Sequence, residues 1–439
     1  MDAHHVVTCF LRNDGEVLLG RRSDAVGSYR GRWTGVSGYV AADESGKRSE
    51  GSPDGEQHRD PERAARAEIA EETGLDGAVT LVRAGDPFPV EDGERRWRVH
   101  PFLFDCASRA VDPNEEIAET AWVHAPEILR RETVPNLWTS YDRVRPRVAT
   151  LRDDRTHGSA WLSMRALETL RDEAALAVAG RADGRETAER ESDDWDGLAT
   201  LARDLWTARP SMAVLENRIN RAMLAASEEH TPAAIERAAR GAIGQAVDAD
   251  REAARYAADR LPARVATLSR SGTVEAALRR SDPDAVLVAE SRPGDEGVGV
   301  AERFAGDTDV TLTTDAAFGS ELAEWDAGAL LVGADRVLPD GRVVNKAGTR
   351  SAALSAAEAG IDCLVVCASD KIARTIEFDR EPRESSEVYD GDAELSVANP
   401  TFDVTPAAAV TAIVTEQGAL STAEVGAVAT AHEEWAAWD

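Results

Sequence analysis

Lysine is almost absent from this 439-residue chain: Lys47, Lys346 and Lys371 are the only three, although lysine and arginine together number 50. Acidic residues number 80 and the formal charge is −30, which argues against a nucleic-acid-binding surface, because such a surface repels phosphate. Abundant Asp, Glu and Ala with almost no Lys is the composition of a salt-adapted protein. Cysteine is scarce as well. Cys9, Cys106, Cys363 and Cys367 have no zinc-like spacing, and the last two lie in an apolar run that predicts burial, so neither disulfides nor zinc are expected. No run of eighteen apolar residues and no early apolar leader is present, which predicts a soluble cytoplasmic protein without a membrane partner. The 43% hydrophobic content excludes an acidic disordered chain, and the length predicts two or three domains.

The densest signal is residues 61–75. Asp60 is placed to cap a helix with Pro61 at its first position, and Gly74 is placed to end it. Glu68, Glu71 and Glu72 fall at i, i+3 and i+4 and share one face, where like charges repel unless a cation sits among them. A hard divalent ion takes carboxylate oxygens of this kind. The run Glu68-Ile69-x-Glu71-Glu72-x-Gly74-Leu75 resembles the signature of the Nudix hydrolases, with Ala67 where that family has Arg. Gly38 and, six residues on, Glu44 resemble its upstream half, and an insertion over 45–58 separates the two halves. Glu56 in that insertion is a rival for the upstream Glu. The resemblance implies Mg²⁺ (or Mn²⁺) held by Glu44, Glu68, Glu71 and Glu72, with Glu68, Glu71 and Glu72 catalytic.

Around this helix, residues 4–22 read as a hairpin about Asn13-Asp14-Gly15. Further strands are expected at 33–40, 78–83, 95–106 and 120–124. These give an α/β/α sandwich over 1–135, followed by a linker over 136–150. Residues 151–260 carry helical periodicity. From 261 to 439, short apolar runs at 265–268, 285–289, 310–313, 329–333, 363–367 and 410–414 alternate with helices. That predicts a Rossmann-like parallel sheet with ligands at the carboxyl ends of its strands.

At those ends stand Ser269-Arg270-Ser271-Gly272, Glu290-Ser291-Arg292, Asp315, Gly333-Ala334-Asp335, Asn345-Lys346 and Asp370-Lys371. Small residues, hydroxyls and bases at one edge suit a phosphate. Two of the three lysines of the chain lie there, and lysine offers a compact, titratable charge that arginine does not mimic. Residues 290–297, 330–349 and 399–406 resemble the alpha, beta and delta subunits of translation initiation factor 2B. That family includes ribose-1,5-bisphosphate and methylthioribose-1-phosphate isomerases, and the resemblance covers about residues 145–439. It implies catalysis through Asp335 and substrate binding through His157, Gly158, Ser159, Arg209, Ser269, Arg270, Ser271, Arg292, Glu296, Asn345, Lys346 and Lys371. His157-Gly158-Ser159 stands where the isomerases show Arg-Gly-Ala. Ser269 stands where they carry a catalytic Cys, and a hydroxyl is far less acidic than a thiol.

The combined expectation is a Mg²⁺-dependent hydrolase of a nucleoside-diphosphate-linked substrate, fused to a domain that binds a sugar phosphate or nucleotide. A homodimer or higher homo-oligomer through the second domain is implied by the resemblance. The alternatives are a ribose-1,5-bisphosphate isomerase-like enzyme and a non-catalytic regulator related to the initiation factor.

Overall fold

The computed structural model describes residues 4–40, 60–93, 95–182, 194–378 and 380–438. The chain forms two compact units: Met1–Pro146 with Val178–Glu186, and Arg147–Ala177 with Thr187–Asp439.

The first unit is built on a mixed eight-stranded sheet of β1 (His4–Asn13), β2 (Glu16–Arg22), β3 (Trp33–Thr34), β4 (Val36–Tyr39), β5 (Val79–Ala84), β6 (Phe88–Asp92), β7 (Arg95–Cys106) and β8 (Ile117–Val123). Asp14 and Gly15 both take positive φ, 49° and 79°, and close the expected β1–β2 hairpin as a two-residue turn. Alternation along β1 sends Val7, Cys9 and Leu11 to one face and Phe10 to the other. Helix α1 (Pro61–Thr73) lays Ala65 and Ile69 on the first face. Its caps are as expected: the Asp60 carboxylate accepts from the backbones of Glu62 and Arg63, and Gly74 at φ 69° donates to Ala70.

The opposite face corrects the expected linker. Helix α2 (Leu137–Asp142) with Val144 buries Leu137, Tyr141 and Val144 against Phe10, Leu19 and Leu103. The spacing i, i+4, i+7 is a helix face that the Arg and Pro content around it obscured. The first unit therefore extends past residue 135. Strand β6 lies outside the expected strands, because Pro89 and the acidic Glu91 and Asp92 leave only Phe88 and Val90 as apolar alternation.

In the second unit α3 (Val148–Asp153), α4 (Ser159–Ala182, in this unit as far as Ala177), α5 (Trp195–Thr207), α6 (Ala213–Ala226) and α7 (Pro232–Ala258) form a helical layer with its own core. The sheet then begins: β9 (Arg264–Leu268), α8 (Gly272–Ser281), β10 (Ala285–Ala289), α9 (Glu296–Phe304), β11 (Asp309–Thr313), α10 (Asp315–Glu324) and β12 (Ala329–Val332). A small sheet of β13 (Arg336–Val337), β14 (Val343–Lys346) and, after α11 (Thr349–Ala359) and β15 (Asp362–Val366), β16 (Phe402–Thr405) stands beside it. Strands β17 (Ala412–Thr415) and β18 (Gly418–Leu420) and helix α12 (Thr422–Trp435) complete the unit. The main sheet runs β11-β10-β9-β12-β15-β17-β18, parallel throughout except for β18. Its first six strands have the doubly wound order, so the chain reverses direction between β9 and β12, and a crevice opens beyond their carboxyl ends. Both strands are followed by residues singled out from the sequence.

Candidate functional site

In the first unit, α1 carries its acids toward β4. Glu72 is buried, with its carboxylate accepting from the Ser37 backbone at 3.3 Å, while Glu68 is half-buried and Glu71 exposed. A Cβ on Gly38 would lie 1.9 Å from the Glu68 carboxyl, so only glycine lets the strand pass this close. Burial first, and then the charges of Glu71 and Glu116, push the Glu68 carboxyl up to about 7. Burial and Glu68 push Glu72 up to about 8 against the opposing pull of the Ser37 backbone and Arg22. Arg22, held by the Ser28 carbonyl at 3.0 Å and the Ser37 hydroxyl at 3.4 Å, is thus the cation that acts on Glu72, whereas Arg66 turns to Glu62 at 3.0 Å. Among the described residues no three His, Cys, Asp or Glu side chains are already gathered as a metal cage. Glu44 and Glu56 lie outside the described residues. The donor chemistry nevertheless fits a hard divalent cation: carboxyls raised by burial and by one another are short of positive charge.

In the second unit, a cavity of about 780 Å³ opens at the β9–β12 crevice. It collects His157, Gly158 and Ser159 from the entry to α4, Arg209 from the loop after α5, Ser269, Arg270 and Ser271 after β9, Asp335 after β12, Glu296, Asn345, Lys346 and Lys371. Arg292 does not join them. Its exposed side chain pairs with Glu290 at 3.4 Å and Asp295 at 3.1 Å instead, because the loop after β10 is turned by the Asp315 carboxylate, which accepts from the backbones of Ser291 and Arg292.

Seven Lys or Arg and six acidic side chains line the cavity, a local surplus of cations in a chain of net charge −30. Most of the innermost cations already have internal partners. Lys346 Nζ meets Glu296 at 2.6 Å, and Lys371 Nζ donates to the Ala334 carbonyl at 2.5 Å. Arg209 binds Glu381 at 2.7 Å and the Asp154 carbonyl at 2.8 Å, and Ser211 also donates to Glu381. Ser269 holds a left-handed backbone at φ 61°, with its N–H on the Ser291 hydroxyl at 2.6 Å. A non-glycine residue in that conformation persists only where its surroundings hold it, and such residues gather at functional sites.

Lys371 is positioned from the helical layer. Asp370 beside it is fully buried, and burial alone would raise its carboxyl. Arg218 at 2.9 Å and Arg221 at 2.5 Å instead hold it below the usual carboxylate range. Asn217 ties the carbonyls of Asp370 and Ile372, each at 2.8 Å.

A model described as the initiation factor 2 subunit family matches residues 155–422, more than half of the chain. The chain belongs to that family. Residues 2–144 match the NUDIX domain and lie within the first unit. Within the initiation factor 2 subunit family, a ribose 1,5-bisphosphate isomerase of Haloterrigena turkmenica is 32% identical over 309 residues, covering 63% of this chain and 90% of the relative. One of Haloferax volcanii is 32% identical over 306 residues with the same shares. Among solved structures, a translation initiation factor eIF-2B of Pyrococcus horikoshii OT3 superposes with a TM-score of 0.53 at 26% identity, over 62% of this chain and 94% of that one. A 5-methylthioribose 1-phosphate isomerase of the same organism shares the fold at a TM-score of 0.51 and 21% identity, over 72% of this chain and 89% of that one.

Reading strand ends of this family member from its sequence missed several cavity residues. Glu381, Arg383, Glu384 and Glu387 come from the irregular stretch after β15, and Arg152 and Arg155 from the stretch before α4. None stands directly at the end of a strand of the main sheet, so no periodicity marks them. In the first unit Arg22 and Glu116 were missed because their effect on Glu72 is made through space.

Proposed function

We propose that the first unit is a divalent-cation-dependent hydrolase of phosphoanhydrides, acting on a nucleoside diphosphate joined to a second group, and that the second unit binds a phosphorylated small molecule. The observation that carries the first part is the pair Glu68 and Glu72, raised to about 7 and about 8, in a Nudix domain. Glu68, Glu71 and Glu72 would hold Mg²⁺ or Mn²⁺, which supplies charge neutralisation and an activated water when bound. Gly38 keeps Glu68 against β4, the Ser37 N–H orients Glu72, and Arg22 offers a nearby positive charge. For the second part, the support is a crevice at the strand-order reversal with Lys346, Lys371, Arg209 and Arg270 on its walls.

A second reading, ribose-1,5-bisphosphate isomerase-like chemistry, is favoured by the two relatives matched over 90% of their own length and by Asp335 lining the cavity. Ser269 weighs against it, since a hydroxyl at that strand end is a much weaker proton donor than a thiol. One experiment separates the readings. A panel of phosphoanhydrides and sugar phosphates is assayed in molar KCl with Mg²⁺, using wild type, Glu72→Gln and Asp335→Asn. Hydrolysis lost only in Glu72→Gln supports the hydrolase. Conversion of ribose 1,5-bisphosphate lost only in Asp335→Asn supports the isomerase, and silence in both would leave a binding or regulatory protein.

A further inference from the structure

Residues 380–401 leave the second unit as a hairpin of irregular backbone and return to it at β16. The two ends pair as a neck: the Arg383 N–H donates to the Asn399 carbonyl at 2.8 Å, and the Thr401 N–H to the Glu381 carbonyl at 2.9 Å. Beyond that neck, residues 384–396 are all exposed. Val388 and Leu395 keep 59% and 53% of their surface in solvent, so apolar burial does not fasten the tip. Its hydrogen bonds go to itself or to the neck. Arg383 donates to Glu387 at 2.7 Å, Asn399 to the Glu384 carbonyl at 2.9 Å, and the Ala393 N–H to the Tyr389 hydroxyl at 3.1 Å. Pro382, Arg383, Glu384 and Glu387 nevertheless line the cavity, so the hairpin forms part of its wall.

Glu381 ties this hairpin to the loop between α5 and α6. Its two carboxylate oxygens meet Arg209 at 2.7 and 3.4 Å, and it also accepts from the Ser211 hydroxyl. This is the fork that an arginine offers to a carboxylate or a phosphate, and here a carboxylate of the chain itself fills it. The remaining nitrogen of Arg209, Nη1, donates to the Asp154 carbonyl at 2.8 Å, so all three nitrogens are engaged while Glu381 stays. Glu381 holds φ 44°, a left-handed backbone that a non-glycine residue keeps only where its contacts hold it. The tie is therefore strained on the side of the hairpin and open to competition on the side of the cavity.

We propose that residues 380–401 are a latched flap. Glu381 on Arg209 and Ser211 is the latch, and an anion that enters the cavity and takes Arg209 opens it. The proposal rests on the reading that the second unit binds a phosphorylated small molecule. It adds a regulation to that site: binding loosens a stretch of surface, so occupancy of the cavity is expressed outside it. The displaced carboxylate and the bound anion repel each other, which keeps the latch open for as long as the ligand stays.

The test is hydrogen–deuterium exchange of the full chain in molar KCl, with and without ribose 5-phosphate as the probe. Calorimetry on the same samples measures whether the probe binds. Bound ribose 5-phosphate is expected to speed exchange of the neck amides of Arg383 and Thr401 about ten-fold, the effect of losing a charge-assisted tie, and to leave β12 unchanged. Glu381→Gln should show the fast exchange without the probe and no further change with it. Ser211→Ala, which leaves both Arg209 and Glu381 in place, should show a smaller acceleration. Binding that leaves neck exchange the same or slows it overturns this proposal alone, as does slow exchange in Glu381→Gln. Absence of binding in wild type and Glu381→Gln alike overturns it together with the reading it rests on.

Discussion

The two units treat charge in opposite ways. On α1, burial first and then mutual repulsion push the carboxyls of Glu68 and Glu72 up to about 7 and about 8, with Arg22 pulling the other way on Glu72. In the β9–β12 crevice each central cation has been given an internal partner: Lys346 has Glu296, Arg209 has Glu381 and Lys371 has a carbonyl. The first arrangement is incomplete without an added cation. In the second, an anionic ligand must compete with Glu296 for Lys346 and with Glu381 for Arg209. In so acidic a chain this is a sensible division, since free positive charge on a wall would attract the protein's own surface.

The largest expected effect comes from breaking the first arrangement. Glu72→Gln should lower phosphoanhydride hydrolysis about 10²–10⁴-fold, measured at saturating Mg²⁺, and should leave ligand binding in the second unit as it is. Gly38→Ala should follow at about 10²-fold, because the new Cβ displaces the Glu68 carboxyl by the order of an ångström. A variant that keeps full activity would show that Glu68 is not in the machinery.

Glu381→Gln sharpens the comparison from the other side. Removing the charge that occupies Arg209 should tighten binding of a phosphate-bearing ligand about ten-fold in calorimetry, whereas no change would mean that the phosphate does not reach Arg209.

The smallest effect is a pH dependence. Glu68 and Glu72 have folded pKa values raised above the usual range near 4.3, so the unfolded chain loses these protons first. Their contribution to stability therefore falls as pH rises from about 4.5 to about 8. A divalent cation offsets that loss. Mg²⁺ should raise the melting temperature by a few degrees at pH 8 and by less at pH 6, with the difference gone in Glu72→Gln. Equal stabilisation at both pH values would place the cation elsewhere.

Much of this was legible in the residues, for local reasons. Asp60, Pro61 and Gly74 write both ends of α1, and the apolar runs beginning at Val265, Ala285 and Ala329 write the strands whose ends build the crevice. Lys346 and Lys371 were marked by their rarity and by their place at the strand ends, and both line the cavity. What was hidden is whatever depends on three-dimensional neighbours. Arg292 follows a strand as the others do, yet Asp315 turns its loop so that it pairs outward. Glu381 sits in an irregular stretch with a left-handed backbone, φ 44°, and no pattern in the chain links it to Arg209, 172 residues away. The stacked ring of His157 depends on Trp161 one helical turn further on, a spacing seen only once the helix start at Ser159 is known.

Arg218 has a further consequence. It is wholly buried on α6 and bonded to Asp370, Asp250 and the Ser163 hydroxyl, while Trp438, next to the carboxyl terminus, returns to Asn220 on the same helix at 2.9 Å. The helical layer and the sheet were read from the sequence as separate segments meeting near residue 260. These bonds make them one body. A fragment beginning at 261 would strip Asp370 of both Arg218 and Arg221, so the two segments are expected to fold together and not independently of each other.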